Sequence, residues 1–572
     1  MNRKRFIELT SLGTGALASS TLPGYSFTKR YLLKDKSDIY GNQLNADVVI
    51  AGGGVGGCAA ALAALRNNLS VILTEETDWI GGQFTQQGVP PDEHPWIETH
   101  GATALYRAFR TNVREYYRRN YPITEAARDR KNLNPGDGIV SGLCHEPRVA
   151  LAVLQAMFAP YLSSGKLTLL LEHKIIKADV TGSNVNALQA VNKRSGNKII
   201  LSAPYYVDAT ELGDLLPLTG TEFVTGTESK KETGELHAPE VGDSNNHQAF
   251  TVCFAMDYLP GATHTIDKPA EYNFWSKYIP KVNPPWPGKL LQLMYPKPAT
   301  LVATPLGFHP EGIKTGDRLN LWNYRRILHK NNFIPGSYAG DISTVNWPQN
   351  DYILGNLTGV TEHEFKHHVN RAKQLSLSLL YWLQTEAPRP GGGNGWPGLR
   401  LRKDIMGTDD GLAKYPYVRE ARRIKSLFTI KEEYMGVANR AMVYGNEAAK
   451  KSEVFYDSVG VGSYHIDLHP SSGGNNYIDF DSLPFQIPLG SLLPQRMDNL
   501  MPANKNIGTT HITNGCYRLH PVEWGIGEAV GLLTAYAINN KIIPRAVREK
   551  QNLLEDFQSF IRKQGVETSW EG

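Results

Sequence analysis

The clearest pattern of hydrophobic and polar positions lies near residue 45 and runs to residue 75. A short apolar run over 47–50 predicts a strand, and it leads into a glycine-rich turn over 51–57. The alanine-rich stretch 58–65 predicts a helix, because alanine has the highest helix propensity. A second apolar run over 70–74 predicts another strand, so the pattern indicates a β-α-β unit.

Further elements follow from the same pattern. Residues 148–161 predict a helix and residues 167–171 a strand. Alternating apolar and polar positions over 174–207 predict a small antiparallel meander that ends in the segment 205–210. Near the end of the chain, residues 522–538 predict a helix that Pro521 precedes, a favoured place for proline.

The region 225–480 is long and rich in proline, tryptophan and predicted loops. Its tryptophans could offer stacking surfaces to a sugar or could fill a hydrophobic core, and the second alternative is the commoner use of tryptophan. They are Trp275, Trp286, Trp322, Trp347 and Trp396.

Composition and charge exclude several classes of protein. Among 572 residues, 41% are hydrophobic and 20% charged, which is typical of a globular protein and excludes a mostly disordered chain. The formal net charge is only +4, so an electrostatic nucleic-acid binder is not expected. The basic and aromatic stretch 102–119 instead predicts an amphipathic helix. No apolar run reaches the ~18 residues that span a bilayer, so no integral membrane segment is expected.

The cysteines do not form a recognisable metal or redox motif. They are Cys58, Cys144, Cys253 and Cys516. Their spacings exclude the usual zinc and iron–sulfur patterns, and no metal is expected. Cys58 is predicted to be a buried packing residue, whereas one disulfide among the others stays open.

Residues 1–24 resemble an export signal of the twin-arginine type. Arg3, Lys4 and Arg5 are followed by Phe6 and Ile7, and a weakly apolar run comes next. Lys4 stands where that signal has its second arginine. The alternative is a disordered basic tail. We expect export to the periplasm, with residues 25–44 as a linker.

The glycine-rich turn has the spacing of a dinucleotide-binding motif. Gly52 permits a tight turn, Gly54 lets the backbone approach a pyrophosphate, and Gly57 lets helix and strand pack closely. Gly56 lies in the same turn. The first helical N–H groups would face the phosphates, and Glu75 after the second strand would bind a ribose diol.

With these motifs in place, the chain resembles the FAD-dependent oxidoreductases that have a glutathione-reductase-like FAD domain. More narrowly, it resembles a bacterial family related to the flavin part of heterodisulfide reductase. The resemblance extends over most of 45–540. It is carried by 51–57 with Glu75, 79–85, 207–214, 415–423 and 506–529.

The resemblance implies an α/β fold, in which a Rossmann-like FAD-binding domain with a β-meander is interleaved with a large mixed α+β substrate domain. The implied domains are 45–224 for the first part of the FAD-binding domain, 225–480 for the substrate domain, 481–545 for the C-terminal return to the FAD-binding domain, and 546–572 for a helical tail.

The resemblance also implies non-covalent FAD and a set of residues that contact it. The N-terminus of the last helix would face the flavin near Gly525 and Ile526, where its partial positive charge stabilises the reduced flavin. The other implied contacts are Gly81, Gly82, Gln83, Ala209, Thr210, Gly213, Asp214 and Asn506.

Several polar residues are candidates for catalysis or substrate binding. His511 and His520 flank the turn that is expected to contact the flavin, and either could move a proton or be structural. Arg419 and Arg422 could bind an acidic or hydroxylated substrate or form a buried ion-pair network. His465, with His469, could line a cleft or bind a metal, although a structural role is favoured.

These observations predict an exported FAD-dependent oxidoreductase that removes hydride from a small polar substrate, such as a carbohydrate or another hydroxylated compound. A second GxGxxG is missing, so the electron acceptor, still unidentified, is not expected to be a nicotinamide. The alternatives are an FAD-dependent amine or amino-acid oxidase, and a polysaccharide-associated protein that uses FAD structurally.

Overall fold

The computed structural model describes residues 43–570, so the predicted export signal and nearly all of the predicted linker lie outside the described residues. The strands are β1 (Gln43–Asn45), β2 (Val48–Ala51), β3 (Val71–Glu75), β4 (Leu167–Leu171), β5 (His173–Thr181), β6 (Asn184–Asn192), β7 (Lys198–Ser202), β8 (Tyr205–Asp208), β9 (Phe223–Val224), β10 (Phe250–Thr251), β11 (Phe254–Tyr258), β12 (Met294–Pro296), β13 (Ala303–Pro305), β14 (Arg326–Leu328), β15 (Ile342–Val345), β16 (Asp351–Tyr352), β17 (Leu399–Leu401), β18 (Arg423–Ile424), β19 (Ser458–Gly462), β20 (Ile466–Leu468), β21 (Ile478–Phe480), β22 (Phe485–Pro488) and β23 (Leu500–Pro502).

The helices follow the same chain order between these strands. They are α1 (Val55–Arg66), α2 (Ala104–Asn120), α3 (Glu125–Asp129), α4 (Pro147–Ser163), α5 (Leu215–Thr219), α6 (Lys230–Thr233), α7 (Tyr272–Trp275), α8 (Leu321–Tyr324), α9 (Glu362–Thr385), α10 (Lys403–Met406), α11 (Val437–Tyr444), α12 (His511–Tyr517), α13 (His520–Asn540), α14 (Pro544–Glu549) and α15 (Gln551–Lys563).

We call residues 45–224 and 481–545 the cofactor-binding half, after the prediction above. A five-stranded parallel sheet with the order β23-β8-β2-β3-β4 lies at its centre. Every residue of β2 and of β3 is buried, as expected for strands that are covered on both faces. The predicted β-α-β unit is confirmed, and the protein has the expected mixed α/β fold with a Rossmann-like arrangement of the parallel strands.

The predicted meander is formed by β5, β6 and β7, which pair antiparallel. The prediction was wrong about its end, because β8 belongs to the parallel sheet and pairs with β2 and β23. In β8, consecutive residues from Tyr206 to Asp208 are buried, so the strand is covered on both faces rather than on one. An alternating pattern upstream does not reveal that change of sheet.

The helices α1 and α13 pack with their backbones in close contact. A Cβ atom on Gly527 would lie 2.0 Å from the carbonyl oxygen of Gly56, and a Cβ on Gly531 would lie 2.3 Å from that of Ala60. Only glycine permits this approach. The contact holds the N-terminal turn of α1 beside the start of α13.

We call residues 225–480 the substrate half, after the prediction above. It contains an antiparallel sheet with the order β14-β15-β11-β17. It also contains the 24-residue helix α9, which was not predicted from the sequence. The first turns of α9 are polar, so their periodicity is weak, but Thr361 and Glu364 form a capping box that marks its start. All five tryptophans of this region are buried in one core, so they offer no stacking surface to a sugar.

The four cysteines are buried and free, so the disulfide that the sequence left open does not form. Cys58 packs in the core around α1 and α13, as predicted.

Residues 42–572 form one compact unit, so the domain boundaries stay a prediction. Between residues 43 and 570, we find no helix with the length and the apolar character needed to cross a bilayer.

The contact between α1 and α13 predicts a difference between two glycines of the same helix. The Gly527→Ala substitution should destabilise the protein by about 1–3 kcal/mol, because the new methyl group overlaps the backbone of Gly56. The measurement is the midpoint of thermal or urea unfolding in buffer saturated with FAD.

The matched control is Gly525→Ala, whose Cβ would meet no atom closer than 3.7 Å. This substitution should be neutral or stabilise by up to about 1 kcal/mol, because alanine favours the helix. Equal unfolding midpoints for the two variants would contradict the proposed role of the contact.

Candidate functional site

The turn between β2 and α1 is shaped by glycines that have no room for a side chain. Gly52 has a φ of 97°, and its Cβ would lie 2.2 Å from the carbonyl oxygen of Ala209. A Cβ on Gly56 would lie 1.6 Å from the oxygen of Ala503, and one on Gly57 would lie 2.0 Å from the oxygen of Gly52. The turn is therefore pressed between the ends of β8 and β23.

Gly54 caps the N-terminus of α1 without a side-chain hydrogen bond, and the first turn of α1 contains no acidic residue. The first N–H groups of a helix have no partner within the helix and carry a partial positive charge. The Gly56 N–H donates to Glu523 Oε1 at 3.5 Å, whereas the N–H groups of Val55 and Gly57 remain for an anionic ligand, as expected from the sequence.

Glu75 is the last residue of β3, and its carboxylate reaches back to the glycine turn. Its Oε2 accepts a hydrogen bond from the Gly53 N–H at 3.0 Å, and its Oε1 accepts one from the Thr77 N–H at 2.8 Å. Burial raises the pKa of Glu75 to about 7. The group is thus held rigidly beside the turn, where it can accept hydrogen bonds from a ribose diol.

A cavity opens in front of this turn. It is lined by Gly52, Gly54, Thr74, Glu75, Glu76, Gln86, His173, Ile175, Ala209, Thr210, Glu211, Asp214 and Tyr415. The lining comes from the ends of three neighbouring parallel strands and from β5. Ligands of open parallel sheets bind at such carboxyl ends.

The segment Gly81, Gly82 and Gln83 lies against the N-terminus of α1. The Gly81 N–H donates to the Gly53 carbonyl at 2.7 Å, and a Cβ on Gly82 would lie 2.9 Å from the Cα of Gly54. The Gln83 amide donates to Glu523 at 2.5 Å, whereas its Oε1 is buried without a partner. The segment therefore joins the glycine turn to the first turn of α13.

The end of β8 brings the predicted residues Ala209, Thr210, Gly213 and Asp214 to the same cavity. The Ala209 N–H donates to the Ala51 carbonyl at 2.7 Å, and the Asp214 N–H donates to Thr210 Oγ1 at 2.6 Å. Gly213 has a φ of 67°. Only Gly213 of these four does not line the cavity itself; it shapes the turn between Thr210 and Asp214.

Asn506 donates from its amide to the Asp208 carbonyl at 3.0 Å and so joins the end of β23 to that of β8. Sequence reasoning selected Asn506 but missed its neighbour Lys505. The Lys505 ammonium group is fully buried, 2.6 Å from Glu211 and 3.5 Å from Glu523. Glu211 and Glu523 lie inside the segments 207–214 and 506–529 that carry the resemblance, and their charge within such segments was the signal that could have found them.

Gly525 and Ile526 are not at the N-terminus of α13, the helix predicted over 522–538, which corrects the expectation. The helix α13 begins at His520, with proline in its first turn, so both residues lie within the second turn. Their N–H groups fall within the range of helical hydrogen bonding, because the Glu523 N–H already donates to the Leu519 carbonyl. The free N–H groups of α13 belong to residues near His520.

The residues at these elements fit FAD. The glycine turn leaves room for a pyrophosphate, and several buried polar side-chain atoms lack a hydrogen-bond partner, which is uncommon in a protein interior. These atoms are Gln83 Oε1, both amide atoms of Gln87, Glu211 Oε1, Thr509 Oγ1, Arg518 Nε and His520 Nε2. Unpaired donors and acceptors of both kinds suit the polar edge of a flavin.

His511 begins α12 and forms a short hydrogen bond with a buried glutamate. Its Nδ1 lies 2.5 Å from Glu420 Oε1, and both side chains are at most 4% exposed. Although burial opposes it, the hydrogen bond from His511 and the positive charge of Arg423 hold the pKa of Glu420 well below its usual range. The ionised carboxylate therefore accepts the Nδ1 proton, and no described residue hydrogen-bonds to His511 Nε2.

His520 is fully buried at the first position of α13. The Asp92 N–H donates to its Nδ1 at 3.2 Å, so the neutral ring carries its proton on Nε2, which has no partner. Burial and the charge of Arg325 hold the pKa of His520 well below its usual range. In this arrangement His520 is a hydrogen-bond donor rather than a base.

The structure does not bring Arg419 and Arg422 together at one site. Arg419 is buried and pairs with Asp351 at 3.1 Å, towards the substrate half. Arg422 pairs with Asp214 at 3.0 Å, on the edge of the cofactor cavity. The ion-pair alternative from the sequence therefore describes both arginines.

His465 also lies apart from His511 and His520. It flanks β20, has a 43% exposed side chain and faces Asp479 at 3.3 Å. It is therefore not grouped with the two histidines that were expected to act in catalysis.

The position of Glu75 predicts its contribution to FAD binding. The Glu75→Gln substitution should weaken FAD binding by about 10- to 100-fold, because a hydrogen bond to a charged group contributes about 1.5–3 kcal/mol. The measurement is a fluorescence titration of the FAD-free protein with FAD. The control is Glu222→Gln, a carboxylate outside the cavity that pairs with Arg496 and should leave the affinity unchanged. An equal loss in both variants would contradict the assignment.

Three solved structures are similar to this chain at low sequence identity. A quinol fumarate reductase variant from E. coli is 12% identical, with a TM-score of 0.33, and the match covers 91% of this chain and 74% of that chain. L-Proline dehydrogenase from P. horikoshii is 17% identical, with a TM-score of 0.17, over 33% of this chain and 24% of that chain. The glycerol-3-phosphate dehydrogenase from Bacillus halodurans, complexed with FAD, is 14% identical, with a TM-score of 0.22, over 37% and 40%.

The chain thus spans less than two thirds of two of these three proteins. A search of curated protein sequences finds no match. The family of FAD dependent oxidoreductases, by contrast, matches residues 47–561, which include the glycine turn, Glu75, the β8 segment and α13. The expected cofactor is therefore confirmed as FAD, whereas the narrower relation to heterodisulfide reductase stays a prediction. The chain is an enzyme that belongs to the family of FAD-dependent oxidoreductases.

Proposed function

We propose that this enzyme removes a hydride from a hydroxyl-bearing carbon of a small polar substrate, such as a carbohydrate or another hydroxylated compound. The single observation that carries the proposal is the buried pair of His511 and Glu420, whose short hydrogen bond leaves one imidazole nitrogen without a partner. A histidine held in this way is suited to accept a hydroxyl proton.

Glu420 and His511 have different roles in this pair. The carboxylate of Glu420 accepts the Nδ1 proton and thereby keeps Nε2 unprotonated when the ring is neutral. Glu420 is itself held by the Gln248 N–H at 2.7 Å and by Arg423 at 3.1 Å. The ring orientation is therefore set by the surrounding structure, and Nε2 of His511 is the atom that takes the substrate proton.

A pocket borders Glu420, where a small polar substrate would approach the pair. Its lining combines the Glu420 carboxylate with apolar and polar side chains: Leu212, His247, Gln248, Phe250, Asn356, Leu357, Thr358 and Val418. The amide nitrogen of Gln248 is buried without a partner, so a hydroxyl oxygen could accept its hydrogen bond.

The charged residues nearby favour a hydroxylated substrate over an amino acid. The Arg419 guanidinium is already bound by Asp351, Thr251 and the Ala249 carbonyl, so it is not free to take a substrate carboxylate in a bidentate bond. Arg422 is likewise paired with Asp214. An amino-acid oxidase would need a cation for the substrate carboxylate, and these two arginines already pair with Asp351 and Asp214.

FAD, when bound, supplies the two-electron redox chemistry. The chain contributes the other requirements. The glycine turn and Glu75 would hold the pyrophosphate and ribose, and the unpaired Nε2–H of His520 is available to donate a hydrogen bond. His511 accepts the proton that leaves the hydroxyl group.

The proposal includes export and a non-nicotinamide electron acceptor. Export is supported by the basic segment of residues 3–7 and the apolar run that follows, which lie outside the described residues. A second dinucleotide motif is missing from the sequence, which supports a quinone, a small electron carrier, oxygen or an organic acceptor.

The substrate class is tested by anaerobic bleaching of the visible flavin absorption. We expect that at least one sugar or polyol bleaches the purified enzyme, because His511 is placed to take a hydroxyl proton. Amines and amino acids serve as the comparison panel, and dithionite shows that the bound flavin can be reduced. Bleaching only by an amine or amino acid would reject a hydroxylated substrate in favour of an oxidase of that class.

The role of His511 predicts a large effect on turnover. The His511→Asn substitution should lower the rate of flavin reduction by the bleaching substrate by about 10²- to 10⁴-fold, the usual contribution of a general base. The measurement is stopped-flow absorbance, with the flavin content determined from the spectrum.

The control is His363→Gln on the exposed first turn of α9, which should reduce the flavin at the normal rate. If His511→Asn retains bound FAD and the normal rate of flavin reduction, His511 is not the base.

A further inference from the structure

A second cluster of histidines and carboxylates lies on the hairpin of β20 and β21, outside the site described above. Asp467 in β20 is directly opposite Asp479 in β21. His465 and His469 are two residues before and two residues after Asp467, and alternate residues of a strand share a face. The sequence His465-x-Asp467-x-His469 therefore presents three potential ligands on the side that Asp479 also occupies.

The distances within this cluster suit the binding of one metal ion by several side chains. One side-chain ligand atom from each of His465, Asp467 and Asp479 lies within 4.8 Å of the other two. The closest pair is His465 Nδ1 and Asp479 Oδ1, at 3.3 Å. Oxygen and nitrogen ligands of one transition metal ion bind it at about 2.0–2.2 Å, so small side-chain movements would bring all three to bonding distance.

The electrostatics of the hairpin also favour a cation. Two carboxylates directly opposite each other in an antiparallel pair repel, which destabilises the pairing. Arg518 compensates Asp467 from one side at 3.1 Å, and His465 is the group that faces Asp479. Asp479 therefore has no lysine or arginine partner among the described residues, and a divalent ion would neutralise the pair.

His469 supplies an independent observation. Its Nδ1 lies 2.6 Å from Asp351 Oδ2, and Asp351 is fixed in turn by Arg419 at 3.1 Å and Thr251 at 2.6 Å. With Nδ1 donating to Asp351, the other ring nitrogen Nε2 lies on the side of Asp467, 3.6 Å from its Oδ2. A histidine whose second nitrogen is held by a carboxylate is the usual arrangement behind a metal-bound imidazole.

We propose that the β20–β21 hairpin binds one divalent transition metal ion through His465, Asp467 and Asp479, with His469 as a further ligand. A set of imidazole nitrogens and carboxylate oxygens suits Zn²⁺ or Mn²⁺ better than Mg²⁺, which prefers oxygen ligands alone and keeps several waters. The proposal assigns a metal site where the sequence favoured a structural role for these histidines.

The site would influence the cofactor region through Arg518. The Arg518 side chain donates to the Asp467 carboxylate and backbone, while the Arg518 carbonyl accepts from the Gln83 amide at 3.0 Å. A metal ion on Asp467 would fix the position of Asp467 and thereby that of Arg518, which lies two residues before α13. The inference does not depend on the substrate class or on His511.

The test measures metal binding by the FAD-bound full-length protein. After removal of metals with a chelator, we expect wild-type protein to bind one equivalent of Zn²⁺ or Mn²⁺ in calorimetric titrations, and to unfold at a higher temperature with the metal. The Asp479→Asn and His465→Gln substitutions should each weaken this binding at least tenfold, an expected fold-change because each removes one direct ligand.

The matched control is Asp481→Asn, an exposed carboxylate two residues beyond Asp479 that is not part of the cluster. It should bind metal like the wild type. The flavin spectrum and the unfolding midpoint without metal establish that each variant is folded. Failure of the wild type to bind a stoichiometric ion, or equal binding by wild type and Asp479→Asn, would overturn the proposal.

Discussion

The close contact of the α1 and α13 backbones is the constraint on which the cofactor site depends. Gly527 allows α13 to touch Gly56 in the first turn of α1, and no other residue type could occupy these positions without displacing a backbone. The same contact sets Glu523 beside the amide of Gln83. The glycine turn at the start of α1 and the first turns of α13 therefore position each other.

This arrangement explains why charged groups accumulate behind the glycine turn. Lys505 is buried between Glu211 and Glu523, close to the N–H groups of α1. A buried charge is tolerated only when it is paired, because removing one partner costs about 3–5 kcal/mol. The three residues come from the segments after β8, after β23 and in α13, so the charges also tie together the elements that hold the cofactor.

A second set of buried ion pairs extends from this region into the substrate half. The Glu420–His511 pair lies next to Arg419, whose partner Asp351 also holds His469. His469 leads in turn to Asp467 and Arg518. This series of ion pairs links the two halves through charge-assisted hydrogen bonds, which have stricter geometry than apolar contacts. Glu420 places the proton of His511 on Nδ1, whereas the Asp92 N–H leaves the proton of His520 on Nε2.

The local parts of the site could be predicted from the sequence, because their signals lie within one short segment. The turn from Gly52 to Gly57 and the acidic residue Glu75 belong to a single β-α-β unit, and glycine spacing there reflects direct steric limits. The sheet that β8 joins was predicted wrongly and the helix α9 was missed, since the apolar pattern does not reveal which sheet a strand joins and is weak in the polar first turns of α9. The capping box at Thr361 was a usable local signal for α9.

The sequence by itself determined the cofactor class and the half of the protein that binds it. Only the tertiary structure decided which charges are paired and which nitrogen of each histidine carries the proton. Arg419 and Arg422 are near neighbours in the chain, yet they pair with Asp351 and Asp214 in different halves. The same limit applies to Asp467 and Asp479, which strand pairing places opposite each other. Pairing between distant residues depends on how sheets and helices pack, and sequence spacing does not encode that geometry directly.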